Sequence, residues 1–185
     1  MSRRVFFYDD EDLQSSHGLH LAYGPVNKRG LVEWPRPDWE LERASVFVGS
    51  VVEMPGGGWR CYYSGQCPTG ERKFGLALAE SADGFEWTKP ALGQLEIDGQ
   101  DTNRIVFENE PEDGSFTQPQ VVLMPDGSWL MWSWWHAQEV GYIRYVRAES
   151  DDGIHWTLNA LNEPAVMHPS DCELGQNAWV VGLTD

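Results

Sequence analysis

Five acidic side chains stand shortly before three segments that begin alike: Glu40 and Glu42, then Asp113, then Asp171 and Glu173. A carboxylate held within reach of a reacting group takes or gives a proton, so opposed carboxylates are a minimal apparatus for general acid–base chemistry. Arg43, beside the first pair, could bind a carboxylate of a ligand or pair with Glu40. His168, in "MHPSDCELGQN", could ligate a metal or cap a turn; no His-x-His or facial-triad spacing accompanies it, and no metal site is expected. Each acid also has an ordinary reading as solvated loop surface. Trp34, Trp39, Trp134 and Trp135 could offer a stacking face or pack beneath strands.

What must position these residues is a repeat. "SADGFEW" returns as "SDDGIHW", pairing Ser81 with Ser150, Asp83 with Asp152, Gly84 with Gly153 and Trp87 with Trp156 at an offset of 69. Upstream, "VVEMPGGGWRCYYS" lies over "VVLMPDGSWLMWSW" at an offset of 70. Each unit reads as a strand ending at Met-Pro, a tight turn, a Trp-rich strand, a third strand ending in Ala-Glu-Ser, an Asp-Gly turn and a short Trp-led strand. Four antiparallel strands in about 70 residues is the size of one β-propeller blade. Asp accepts bonds from the following backbone while Gly takes positive φ, so the phrase closes the turn between the outer strands of successive blades. Trp87 and Trp156 are expected in the core.

A third copy begins at "NAWVVGLTD" (177–185), which fits on "QPQVVLMPD" (118–126). The fold expected is therefore all-β with almost no helix: the N-terminal part of a β-propeller, two full blades and the start of a third, within a longer protein. Residues 1–44 form a lead-in and 45–185 the incomplete propeller. Blade one covers about 45–110, blade two about 113–170, and the third starts at about 171–185. A complete sandwich of two four-stranded sheets is the competing architecture.

Composition narrows the partners. A formal net charge of −16 and 13 Lys and Arg against 29 Asp and Glu leave no basic stripe for a phosphate backbone, so no nucleic acid partner is expected. "MSRRVFFYDDED" lacks the apolar run of a signal segment, and no stretch approaches about 20 apolar residues, so a cytoplasmic chain without a membrane partner is expected. Cys61, Cys67 and Cys172 cannot all pair and lack zinc-site spacing; they read as ordinary thiols.

The run "RKFGLALAESADGFEWTKPALGQLEIDGQDTNRIVF" (72–107) resembles the blade motif of five-bladed propellers related to glycoside hydrolase families 32 and 43, the invertase, fructanase and arabinanase clan. It is most similar to a bacterial branch in which Ser-x-Asp-Gly-x-x-Trp-x-Lys-Pro-x-Leu-Gly precedes a Gly and an Asn-Ile-Val strand. "FFYDDEDLQSSHGLHL" and "PDWELERASV" are similar to that branch too. The resemblance implies a site at the axial end, where inner strands begin, with carboxylates from successive blades. One attacks or activates water, another steadies positive charge, and a protonated one serves the leaving oxygen. It further implies that Trp39 and Glu40 match the Trp-Glu leading into blade one, and that Asp171 and Asn177 match an Asp and an Asn leading into blade three.

Two positions depart from that pattern. Gln118 stands before Pro119 where the clan has Asp, and Gln176 stands where it has the acid Glu; an amide neither carries the charge nor supplies the proton. The first expectation is a glycoside hydrolase-like protein acting on an oligo- or polysaccharide with no cofactor. Asp171 or Glu173 would be the general acid and Glu40 or Asp113 the opposing carboxylate, with Trp39, Arg43, Gln118, His168 and Asn177 binding substrate. The second is a non-catalytic sugar-binding or protein-interaction propeller that kept the blades and lost the acids.

Overall fold

The computed structural model describes residues 27–30, 47–66, 74–112, 115–136 and 143–160, together with Val32, Trp34, Pro35, Pro37, Trp39 and Glu40. Of the N-terminal unit Met1–Leu31 only residues 27–30 are described, and all four are exposed. All further description concerns the unit Val32–Asp185.

Alternating β-branched and aromatic residues, punctuated by Gly, form strands in the order expected. Blade one is β1 (Phe47–Glu53), β2 (Trp59–Gln66), β3 (Phe74–Ser81) and β4 (Trp87–Thr88). A hairpin follows, β5 (Glu96–Ile97) and β6 (Gln100–Asp101); blade two is β7 (Ser115–Leu123), β8 (Trp129–His136), β9 (Ile143–Ser150) and β10 (Thr157–Leu158). Both blades are antiparallel meanders, β1-β2-β3-β4 and β7-β8-β9-β10. The described residues contain no helix. The β5–β6 hairpin is an addition to the expected plan. Asp98 and Gly99 both take positive φ, 53° and 75°, as a two-residue turn between right-twisted strands requires.

The repeated phrases build matching turns. In blade one Asp83 Oδ1 accepts from Phe85 N (2.8 Å) and Glu86 N (3.0 Å), and Ser81 Oγ accepts from Gly84 N (2.8 Å). In blade two Asp152 Oδ1 accepts from Ile154 N (2.7 Å) and His155 N (2.8 Å), and Ser150 Oγ from Gly153 N (2.9 Å). Each turn lies within a blade, between its third and fourth strands, and not between blades. Trp87 and Trp156 are buried, as expected.

How the blades stack decides between propeller and sandwich. In a two-sheet sandwich equivalent faces would meet. Here Tyr62, Leu76 and Leu78 of blade one meet Trp129, Met131, Val146 and Ala148 of blade two in one core. The repeat places Tyr62 over Trp132, which is only half-buried, and Trp129 over Trp59, which packs in a separate core with Cys61, Tyr63, Ala77 and Ala79. Opposite faces meet, head to tail, so blade one is buried on both sides. This is the stacking of successive propeller blades.

The inner strands β1 and β7 touch where both ladders slip, at Val48/Ser50 and at Thr117/Gln120. A Cβ on Gly49 would lie 1.8 Å from the Pro119 carbonyl oxygen, so only Gly permits this approach. Val121 N donates to Ser50 Oγ (2.8 Å) and Gln118 N to Ser64 Oγ (3.3 Å), pinning the strands together. The turn of blade two also docks on blade one: Tyr62 Oη donates to Gly153 O (2.9 Å) and Arg60 Nη1 to Asp152 O (2.5 Å).

Candidate functional site

Gly65 on β2 leaves room for Trp39 and Glu40 to lie on blade one's second face. A Cβ there would meet the Trp39 ring at 3.1 Å and Glu40 Oε1 at 3.5 Å. Glu40 is thereby carried inside, with only 1% of its side chain exposed, and charge so deeply buried needs partners. Lys89, which follows β4, donates from Nζ to Glu40 Oε1 (2.7 Å) and Oε2 (2.8 Å). Tyr63 Oη donates to Oε1 (2.5 Å). The ammonium also lies 4.9 Å from the Trp34 ring centroid and 4.8 Å from that of Tyr63, a placement that adds cation–π attraction.

A second layer holds the first. Asn103 donates to Tyr63 Oη and to Leu78 O (both 2.7 Å) and accepts from Trp39 Nε1 (3.0 Å). The Arg104 guanidinium sits 5.3 Å from the Trp39 ring centroid, over Gly75, and its Nε donates to Leu76 O (3.0 Å). Burial, reinforced by the Glu40 charge, holds the Tyr63 phenol well above its ordinary pKa. Burial likewise pushes the Cys61 thiol up to about 12, although nearby Lys89 pulls the other way. Both groups stay protonated at neutral pH, which makes Cys61 an inert core thiol.

Trp39, expected as a substrate-binding platform, is 6% exposed, its indole engaged by Asn103 and Arg104. What remains accessible is a cavity of about 210 Å³ beside it, lined by Pro37, Trp39, Lys89, Asp98, Asp101 and Asn103, among others. Trp135 is buried in the core between the blades, and Trp134 is half-buried on the far face of blade two.

Gln118 is placed elsewhere, at the β7 bulge near the beginning of the inner strand. Its φ is 53°, a left-handed conformation uncommon outside Gly and Asn, costing on the order of 1 kcal/mol or more. Glu40 and Trp39 are thus brought together, while Gln118 sits by Ser64, which the alternation of β2 puts with Tyr62 on the face opposite Tyr63 and Gly65. Asp113, Arg43, His168, Asp171, Glu173 and Asn177 lie outside the described residues, as do Glu42 and Gln176. Among the described residues no group of three or more His, Cys, Asp or Glu is arranged to hold a metal ion.

Lys89, Tyr63 and Asn103 were not singled out from the sequence. One signal was present: the repeat that aligns Trp87 with Trp156 puts Lys89 over Leu158, so a charge appears in one copy only.

No family model and no curated protein matches the chain. Solved structures do. Zg3597, a family 117 glycoside hydrolase of the marine bacterium Zobellia galactanivorans, matches with a TM-score of 0.50 at 13% identity, over 70% of this chain and 42% of that one. The described blades share part of the fold of that structure. A candidate glycoside hydrolase from Bacteroides ovatus gives 0.48 at 23% identity, over 68% and 33%. A structure from the GH130 family of mannoside phosphorylases and glycoside hydrolases gives 0.49 at 14%, over 80% and 46%. The chain spans about a third to under a half of the length of these structures.

With both oxygens of Glu40 engaged by Lys89 and one also by Tyr63, the cluster ties Glu40 to blade one.

Proposed function

We propose that the chain is part of a carbohydrate-active, glycoside hydrolase-like propeller related to families 32 and 43, which cleaves glycosidic bonds of an oligo- or polysaccharide. The observation that carries this reading is the head-to-tail blade pair whose fold is shared with a family 117 glycoside hydrolase. A fold alone does not name a reaction, so the assignment of roles rests on side-chain chemistry. Asp171 or Glu173 is the general acid. The occupied oxygens of Glu40 favour Asp113 as the opposing carboxylate and leave Glu40 a positioning residue. Gln118 binds a substrate hydroxyl through its amide.

A second reading, a non-catalytic sugar-binding propeller, is favoured by one observation. The bulge position before Pro119 carries an amide in a strained conformation, where the related clan has an acid.

Turnover and binding on a panel of plant and microbial glycans separate the two, using the full-length protein as parent and its Asp113→Asn, Asp171→Asn and Glu173→Gln variants. The hydrolase reading expects Asp113→Asn and one of the other two to lose roughly 10²- to 10⁴-fold in kcat with binding retained. Binding without cleavage by the parent transfers the assignment to the second reading. Neither binding nor cleavage on any glycan refutes both.

A further inference from the structure

Gln118 is held in a conformation that its own backbone resists. Among the described residues only Asp98 and Gln118 take positive φ without being glycine, both at 53°. At Asp98 the two-residue turn between β5 and β6 requires it. Gln118 lies inside β7, where no turn does, so the surroundings must impose the strain.

They impose it from three strands. Thr117 pairs with Trp134 and Gln120 with Trp132, which leaves Gln118 and Pro119 as a bulge opposite Ser133 alone. Ser133 Oγ donates to the Thr117 carbonyl (2.8 Å), and Ser64 Oγ, from β2, accepts the Gln118 N–H (3.3 Å). Gly49 of β1 abuts the Pro119 carbonyl. Both serines are buried, Ser64 at 0% and Ser133 at 1% exposure, so neither hydroxyl has water to turn to. Nor are they copies of one another. The offset of 70 puts Ser64 over Trp134 and Ser133 over Tyr63, so each blade carries a hydroxyl, where the other has an aromatic ring, at the point that meets Thr117 and Gln118.

The bulge re-aims one side chain. Phe116, Thr117, Pro119 and Gln120 are all buried, and Gln118 between them is half-buried. We propose that Ser64 and Ser133 are positioning residues, which fix the backbone of Gln118 so that its amide meets a sugar hydroxyl already oriented. A group fixed in this way loses less freedom on binding. This role for the serines rests on the assignment of Gln118 to a sugar hydroxyl, and it adds the side chains that set the geometry of that contact.

The full-length protein, titrated with the oligosaccharides that it binds from a printed array of plant and microbial glycans, tests it. Ser64→Ala and Ser133→Ala should each weaken binding roughly 2- to 10-fold, the factor that matches one hydrogen bond. In a Gln118→Ala background neither should weaken it further. Equal losses in both backgrounds would mean that the serines act on the fold at large, and no loss from either would leave Gln118 oriented without them; both results overturn the proposal. Binding indifferent to Gln118→Ala, or no binding by the parent, removes the hydroxyl assignment and the proposal with it. The strain is tested without any glycan. Gln118→Gly should unfold at a urea concentration no lower than Gln118→Ala, reversing the order in which Ala ordinarily exceeds Gly. The ordinary order would show that positive φ is not imposed in solution, and overturns the proposal by itself.

Discussion

Replacing Lys89 by Met keeps a long unbranched side chain and removes the ammonium. Glu40 would then keep one donor, Tyr63 Oη, for a carboxylate whose side chain is 1% exposed. Breaking a buried pair from one side typically costs about 3–5 kcal/mol, because the remaining charge has neither water nor counter-ion. Lost cation–π contact with Trp34 and Tyr63 adds about 1 kcal/mol. Tyr63 partly offsets this by keeping its bond to Oε1. We therefore expect a loss of about 3–5 kcal/mol, equivalent to a fall in Tm of roughly 6–20 °C for a chain of this size. Urea titration followed by Trp fluorescence measures it, with an unchanged slope showing that the unfolding reaction is the same. Glu40→Gln combined with Lys89→Met should recover part of the loss, since the cycle then removes both charges. A loss below about 1 kcal/mol, the range of exposed ion pairs, would falsify the buried clasp.

Gly153→Ala should destabilise more than Gly84→Ala. Both positions have positive φ, 74° and 80°, and share a conformational cost of about 1–2 kcal/mol, but only at Gly153 would the new methyl lie 2.6 Å from Tyr62 Oη and 3.0 Å from Arg60 Nη1. Equal losses in urea midpoints would show that the blade-two turn is not docked in solution. The turn carboxylates predict acid sensitivity. The pKa of Asp152 is lowered despite burial acting to raise it, because the His155 ring, the His155 and Ile154 amides and Ser150 all bond its ionised form. Asp83 is lowered by the Glu86 and Phe85 amides, and Asp126 by Ser128. A carboxylate depressed in the folded state stabilises it above the unfolded pKa, near 3.8, and that stabilisation disappears as pH falls through the folded value. The urea midpoint of the parent should therefore fall more than that of Asp152→Asn between pH 6 and pH 3; parallel curves would remove Asp152 from the account.

The blades were legible in the sequence because their causes are local. Ser-x-Asp-Gly-x-x-Trp encodes its own turn: the acceptors sit two and three residues from their donors, and Gly takes the conformation that other residues resist. Period and spacing then repeated four strands without reference to anything distant. The β5–β6 hairpin was legible on the same terms, as Asp98-Gly99, but lay outside the repeated unit and was not anticipated.

Where charges go was not local. Glu40 and Lys89 are 49 residues apart, and Trp39 and Asn103 are 64 apart. Nothing in a loop glutamate's neighbours says whether it meets water or an ammonium, so the sequence left Glu40 between a ligand and a partner such as Arg43, and Trp39 between a stacking face and a place beneath the strands. Trp39 and Glu40 pack against blade one at Gly65, with Arg104 over Gly75 beside Trp39, and both are enclosed and satisfied there. The sequence alone determined the repeating blade, its turns and the side chains able to do chemistry. Tertiary structure decided which blade face meets which and that Glu40 is held by Lys89, because burial and pairing belong to surfaces that exist only once distant segments have packed.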